Sequence, residues 1–269
     1  MHFVDWIYIL DGIMGGLIVG ILGTGSSLVV LPVLVFLFQA QFNSPFSIKI
    51  AIGTCLAIIT IGSTVASFSQ IKKKYVNKTA CMIVSVFYLI GGLLGPWMAH
   101  FIPIASLHVY VGLMVLLIAS SFFPPFVSAV RKFPKRLRVP SFLEMPCVAC
   151  VIAIASSIAG VASGLFMIPY LRRFMEYRQA IGTSLAASTV YCLASTGGYL
   201  MAGSHIQDQL PSNTWGYIYW PAFLMVGIPM ALLAPLGTWL SHKISTLWLE
   251  RVFIVFLVLA GFYILFGSQ

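Results

Sequence analysis

Two short runs of small and hydroxyl-bearing residues interrupt apolar sequence, and each has the chemistry to hold an anion. The first is Gly23-Thr24-Gly25-Ser26-Ser27, followed by Pro32; the second is Gly160-Val161-Ala162-Ser163-Gly164, followed by Pro169. Nine residues separate glycine from proline in both, 23 to 32 and 160 to 169. A glycine break inside a membrane helix frees N–H groups at the start of the next half-helix, where the dipole adds partial positive charge. Serine and threonine hydroxyls add donors, and glycine lets a ligand approach the backbone. Gly23, Thr24, Gly25 and Ser26 are therefore expected to face Gly160, Ser163 and Gly164 near the bilayer midplane. A single such run would read as a small-residue packing motif. Two runs with matching prolines read as the paired broken helices of a transporter.

A second duplication follows the breaks. Ala51-Ile52-Gly53-Thr54 recurs as Ala180-Ile181-Gly182-Thr183, with Ser184 beside the second copy. Thr54, Thr183 and Ser184 are expected to line the site, against the alternative that each threonine bonds its own helix backbone. The basic residues Lys49 and Arg178 stand 129 apart, as do Gly53 and Gly182. They are expected to attract an anion at the two mouths of the pathway; snorkelling and ordinary cytoplasmic placement are the alternatives. His100 and His242, near helix ends, are the candidate proton-coupling groups, or else interfacial structural histidines.

Carboxylates are scarce: Asp5, Asp11, Glu144, Glu176, Asp208 and Glu250 are the whole set. The span limits below put none at mid-span, with Asp11 and Glu250 coming nearest. Cation carriers usually need a buried carboxylate, so the set favours an anion. No GxSxG, HExxH or paired mid-membrane aspartates occur, so no enzyme is expected, and neither is a metal or other cofactor. Cys147-x-x-Cys150 lacks a second pair and reads as packing, and the five cysteines imply no disulfide framework.

The elements that must position these residues are membrane helices. The chain is 60% hydrophobic and 8% charged, with a mean hydropathy of +1.00, against about a quarter charged in soluble domains. Six stretches reach the roughly 20 residues a span requires: 47–69, 79–101, 104–125, 179–201, 215–240 and 246–267. Residues 6–38 and 143–171 are apolar but split at the breaks. No cleavable leader is evident at the N-terminus. The net charge of +9 sits in loops beside spans, which is the positive-inside pattern and not a nucleic-acid surface.

Two topologies compete. Either every piece crosses, giving eight spans in two parallel halves, or each broken segment is a re-entrant hairpin and the halves are inverted. Lys72, Lys73, Lys74 and Lys78 mark one inside loop, and Lys243 marks another. The linker with Arg131, Lys132, Lys135, Arg136 and Arg138 is inside, and so is the loop with Arg172, Arg173 and Arg178. The segment 143–171 between them must then return to its starting face, which favours inverted repeats. The expected organisation is one all-α polytopic membrane domain: residues 1–125 as first repeat, 126–142 as a basic cytoplasmic linker, and 143–269 as second repeat. Gly95-x-Trp97 through His100 also matches Gly237-x-Trp239 through His242, at an offset of 142.

These residues resemble the TauE/SafE family, the sulfite exporters. The likeness rests on Gly15-Gly16 through Pro32, Ala51-Ile52-Gly53-Thr54, Gly91-Gly92-Leu93-Leu94-Gly95, and the second-half counterparts at 160–169 and 180–185. It spans nearly the whole chain. The resemblance implies transport of small anions such as sulfite, organosulfonates or related sulfur-containing or organic anions across the bacterial inner membrane. Family members often carry a fuller glycine run in the first break, and Val161-Ala162 stands where glycine is usual, so the substrate need not match. The expected partners are a small anionic substrate and the lipid bilayer, with a homodimer left open and no nucleic acid. A membrane scaffold or sensor that transports nothing is the competing functional class.

Overall fold

A computed structural model describes residues 3–22, 26–42, 44–121, 143–240 and 246–266. Ten α-helices make up nearly all of it. The first half holds α1 (Phe3–Leu22), α2 (Ser27–Gln41), α3 (Ser47–Lys72), α4 (Lys78–Phe101) and α5 (Ile104–Ser121). The second holds α6 (Glu144–Ala159), α7 (Gly164–Leu171), α8 (Tyr177–Ser204), α9 (Trp220–Leu240) and α10 (Thr246–Phe266). The linker expected at 126–142 lies outside the described residues.

Three helical stretches, Ser47–Lys72, Lys78–Phe101 and Trp220–Gly237, are long and apolar enough to cross a membrane, and four shorter apolar helices accompany them. The polarity is that of a bilayer protein. On α4 the exposed residues Met82, Val86, Leu89, Ile90, Leu94, Met98 and Phe101 form an apolar stripe at helical spacing. The interior instead holds serines and threonines, including Ser26, Ser27, Thr54, Ser63, Ser163, Thr183 and Ser188. Water would not tolerate so large an apolar stripe, whereas lipid requires one. The 28-residue α8 is rich in serine, threonine, glycine and tyrosine, and it can be because most of those residues are buried against other helices, while Leu193 and Met201 are exposed.

Packing exchanges the halves. Helix α1 lies on α9, and its counterpart α6 lies on α4; α3 packs on α8, and α5 on α10. Small residues allow the close crossings. A Cβ on Gly12 would fall 2.4 Å from the Val226 carbonyl oxygen, and one on Gly95 would fall 2.6 Å from Ser157 Cβ. The equivalent helices α3 and α8 cross in opposite directions: Thr60 meets Thr196 at 3.3 Å, and further along α3 the Ser63 carbonyl accepts from the earlier Thr189 at 3.1 Å.

Each broken segment folds back on itself. In the first, Tyr8 near the start of α1 donates to Gln41, the last residue of α2, at 2.6 Å. In the second, Glu144 at the start of α6 lies beside Tyr170 at the end of α7. One expected span is shortened. Residues 215–219 do not extend α9 but belong to a two-stranded hairpin, β1 (Thr214–Trp215) and β2 (Ile218–Tyr219), in which Thr214 faces Tyr219. Gly216 at its turn has φ +51 and abuts Leu200, so no larger residue fits.

Candidate functional site

The tip of the second hairpin is built by a helix stop. Gly160 adopts a left-handed conformation, φ +70, that only glycine takes readily. Its N–H donates to the Ser157 carbonyl and that of Val161 to the Ser156 carbonyl, a Schellman closure of α6. Backbone that leaves a helix within a membrane must find other partners. Three tyrosines supply them: Tyr199 donates to the Ser157 carbonyl (3.1 Å), Tyr191 to Val161 (3.0 Å) and Tyr88 to Ser163 (3.5 Å). None of the three was singled out from sequence. Their signal was a phenol in the middle of a buried span, where phenylalanine would serve packing equally well.

The two hairpin tips meet. The Ala162 N–H donates to Ser27 Oγ at 3.1 Å, and Ser163 Oγ lies 3.0 Å from Ser188 Oγ on α8. At the start of α7, Phe166 and Met167 donate back to the Ser163 carbonyl. The amides of Ser163 and Gly164 have no hydrogen-bond partner among the described residues. Ser184, likewise buried, leaves its hydroxyl unpartnered among them.

A cavity of about 20 Å³ lies at this junction. Val19 and Ser26 line it from the first hairpin, Ile59, Gly62, Ser63 and Ala66 from α3, Ala162 and Gly164 from the second hairpin, and Leu185, Ser188 and Cys192 from α8. Among the described residues no carboxylate or basic side chain lines it. Ser63 and Cys192 hold equivalent positions, 129 apart. Of the residues expected at the site, Ser26 and Gly164 line the cavity, Ser163 touches it through Ser188, and Gly160 shapes the tip against Ile52. Gly23, Thr24 and Gly25 lie outside the described residues. Ser63 and Ser188 were missed because hydroxyls one to three turns beyond the repeated motif carry no mark of their own.

Thr54 and Thr183 require a correction: neither lines the cavity. Thr54 Oγ1 accepts from the Tyr219 N–H, one residue before α9, and Thr183 Oγ1 accepts from the Asn77 N–H, one residue before α4; both distances are 3.0 Å. The glycine before each threonine meets the same foreign strand. A Cβ on Gly53 would fall 2.4 Å from the Tyr217 carbonyl oxygen, and one on Gly182 would fall 2.5 Å from that of Tyr75. Each Ala-Ile-Gly-Thr copy is thus a seat for the segment leading into the other half's fourth helix. The glycine opens the seat, and the threonine satisfies an amide that the helix itself cannot.

The two basic residues are not alike. Lys49 is only 4% exposed, and its Nζ donates to the His100 carbonyl at 2.7 Å. Arg178 is exposed and rests on Tyr75, Nη1 to hydroxyl 3.4 Å. That contact sets the loop after α3, with Lys72 to Lys74, beside the loop before α8. His100 Nδ1 lies 3.0 Å from the Tyr217 hydroxyl. Burial pushes the Tyr217 phenol up to about 12, so it stays neutral at physiological pH. His242 lies outside the described residues. The carboxylate assignment also changes: Asp11 sits in the middle of α1 and is 3% exposed, because α1 begins at residue 3 and the hairpin folds over it. Cys147 and Cys150 are free thiols on α6, and no group of His, Cys, Asp and Glu suited to a metal occurs among the described residues.

The chain is 29% identical to a probable membrane transporter protein of Methanocaldococcus jannaschii, covering 94% of each chain. It is 25% identical to one from Haemophilus influenzae, over 94% of this chain and 95% of the relative. It is 21% identical to the probable membrane transporter YunE of Bacillus subtilis, over 97% and 96%. No solved structure matches. The model of the family described as sulfite exporter TauE/SafE matches residues 8–264, and with that span the chain belongs to the TauE/SafE family of multi-pass membrane transporters.

Proposed function

We propose that this protein carries small anions across the cell membrane by alternating access, with sulfite, organosulfonates and related sulfur-containing or organic anions as the substrate class. The observation that carries this reading is the meeting of the two hairpin tips at a small cavity where Ser26, Ser63 and Ser188 stand among mostly apolar residues. The unpaired amides of Ser163 and Gly164 adjoin it, and among the described residues no carboxylate lines it to repel a negative guest. Ser26, Ser63, Ser163, Gly164 and Ser188 form the binding surface. Gly160 and Ser184 support it. The seats at Thr54 and Thr183 hold the moving parts in register, and Lys49 and Arg178 bias the two mouths toward anions.

The inverted arrangement is preferred over eight parallel spans for two reasons. The free ends of each hairpin adjoin each other, and the equivalent helices α3 and α8 run antiparallel. A cavity of about 20 Å³ has room for roughly one water molecule. In the conformation described the cavity is therefore too small for an organic anion, and substrate enters when the tips part.

A flux assay tests the reading. Purified protein in liposomes should move radiolabelled sulfoacetate, and Ser163→Ala with Ser188→Ala should lower that flux at unchanged thermal stability. A panel of sulfite, sulfate, thiosulfate, sulfoacetate, taurine and carboxylates that neither crosses the membrane nor raises the melting temperature would return the chain to the scaffold or sensor class.

A further inference from the structure

Asp11 is the one described carboxylate in the middle of a buried helix, and nothing in the anion pathway uses it. Both carboxyl oxygens are buried with no hydrogen-bond partner among the described residues. The elements packed most closely on α1 are α9, α2 and α3. On α1 itself Tyr8 lies one turn away, its hydroxyl already given to Gln41. Helix α3 contributes the Cys55 thiol, within electrostatic reach of Asp11 and aimed at the Ser27 carbonyl at 4.0 Å. Helices α2 and α9 contain no Asp, Glu, Lys, Arg, His, Cys or Tyr at all. Among the described residues there is no counter-ion, and a carboxylate in hydrocarbon without counter-ion or donor is too expensive to persist. A metal cation would need several oxygen ligands at once, and no group of His, Cys, Asp and Glu suited to one occurs among the described residues. Gly12 and Gly16 hold the α9 backbone too close for a hydrated ion, with a Cβ on Gly16 falling 2.7 Å from the Met230 carbonyl oxygen.

We propose that Asp11 is the coupling-proton site of this transporter: it carries a proton while the first hairpin is packed against α9, and releases it when that hairpin moves and water reaches the carboxyl. The proposal rests on the transport reading above. Its logic is mechanical. Asp11 and Val19 share α1, roughly 12 Å apart at 1.5 Å per residue, and Val19 lines the substrate cavity. A charged Asp11 must find water, so the hairpin cannot seat; a neutral Asp11 lets it seat and closes the cavity. The device is one-sided, because the offset of 137 that aligns the two glycine breaks places Val148 where the second hairpin would need a carboxylate.

Two measurements on the full chain test this. The first is the infrared spectrum of purified protein at neutral pH, where wild type should show the C=O stretch of a protonated carboxyl and Asp11→Asn should lack it. The second uses liposomes and labelled sulfoacetate. With the membrane potential clamped at zero, a one-unit pH gradient should drive wild type to an accumulation ratio of about tenfold for one proton per anion. Asp11→Asn should lose that accumulation while counterflow exchange, which turns over no proton, continues; Asp11→Glu should keep coupling, which separates lost titration from misfolding. Gradient-driven accumulation by Asp11→Asn, or a wild-type spectrum without an Asp11-dependent band, overturns the proposal. An Asp11-dependent band in a wild-type protein that moves no anion upholds the proton site and overturns the transport reading instead.

Discussion

The two Ala-Ile-Gly-Thr seats are the same device in different surroundings. Both accept a foreign segment of three residues between glycine and threonine, Tyr217 to Tyr219 in one and Tyr75 to Asn77 in the other. One lies near the start of α3, and the other, on α8, lies beside the segment that follows the end of α3. The basic residue just before each seat differs: Lys49 is sealed under the His100 carbonyl, whereas Arg178 lies open to solvent on Tyr75. What the duplication preserved is therefore the joint between halves, and what it let diverge is the electrostatics of each mouth. The hairpins diverged likewise, since only the first carries a buried carboxylate.

The largest expected effect comes from closing either seat. Gly53→Ala and Gly182→Ala each drive a methyl into a carbonyl oxygen, and overpacking of that kind costs about 3 kcal/mol or more. Thermal unfolding in detergent should show both variants severely and comparably destabilised; tolerance of one alone would break the equivalence. Next come Thr54→Val and Thr183→Val, which strand the Tyr219 or Asn77 amide at about 1–3 kcal/mol each. Thr→Ser should restore most of the loss, because only the oxygen is needed. Tyr191→Phe removes the donor to the Val161 carbonyl and should lower stability by about 1 kcal/mol, with the effect confined to the second hairpin in hydrogen exchange. The sharpest contrast between the mouths has the smallest member: Arg178→Ala should fall within about 0.5 kcal/mol of wild type as an exposed substitution. Lys49→Ala should cost about 1–3 kcal/mol, from its lost stem packing and the orphaned His100 carbonyl.

Much of this architecture was legible in the sequence. Apolar length located a helix in each of the six expected stretches, three of them long and apolar enough to cross, because a bilayer fixes how many residues a crossing takes, and the glycine–proline spacing located both breaks. Duplication of Ala-Ile-Gly-Thr marked residues that matter without saying how. A threonine that accepts from its own helix, from a substrate or from another strand looks the same until its partner is known, and here the partners lie 165 and 106 residues away. The same limit hid Tyr88, Tyr191 and Tyr199, whose hydroxyls are needed only because Gly160 ends a helix inside the protein. Asp11 was legible as a residue but not as a buried one, since its depth depends on where α1 begins and what folds over it. The hairpin at 214–219 was masked by aromatic residues that continue the apolar run into α9.

The central claim, that transport requires the hairpin tips to part at Ser27 and Ala162, is open to one direct measurement. In a variant with its five native cysteines replaced, Ser27→Cys and Ala162→Cys can be oxidised to a disulfide across the tips, and sulfoacetate flux followed in liposomes before and after reduction. Sulfoacetate is the suitable probe because sulfite would itself cleave the bridge. The account predicts that flux stops on oxidation and returns on reduction. Undiminished flux through a fully cross-linked protein would contradict it.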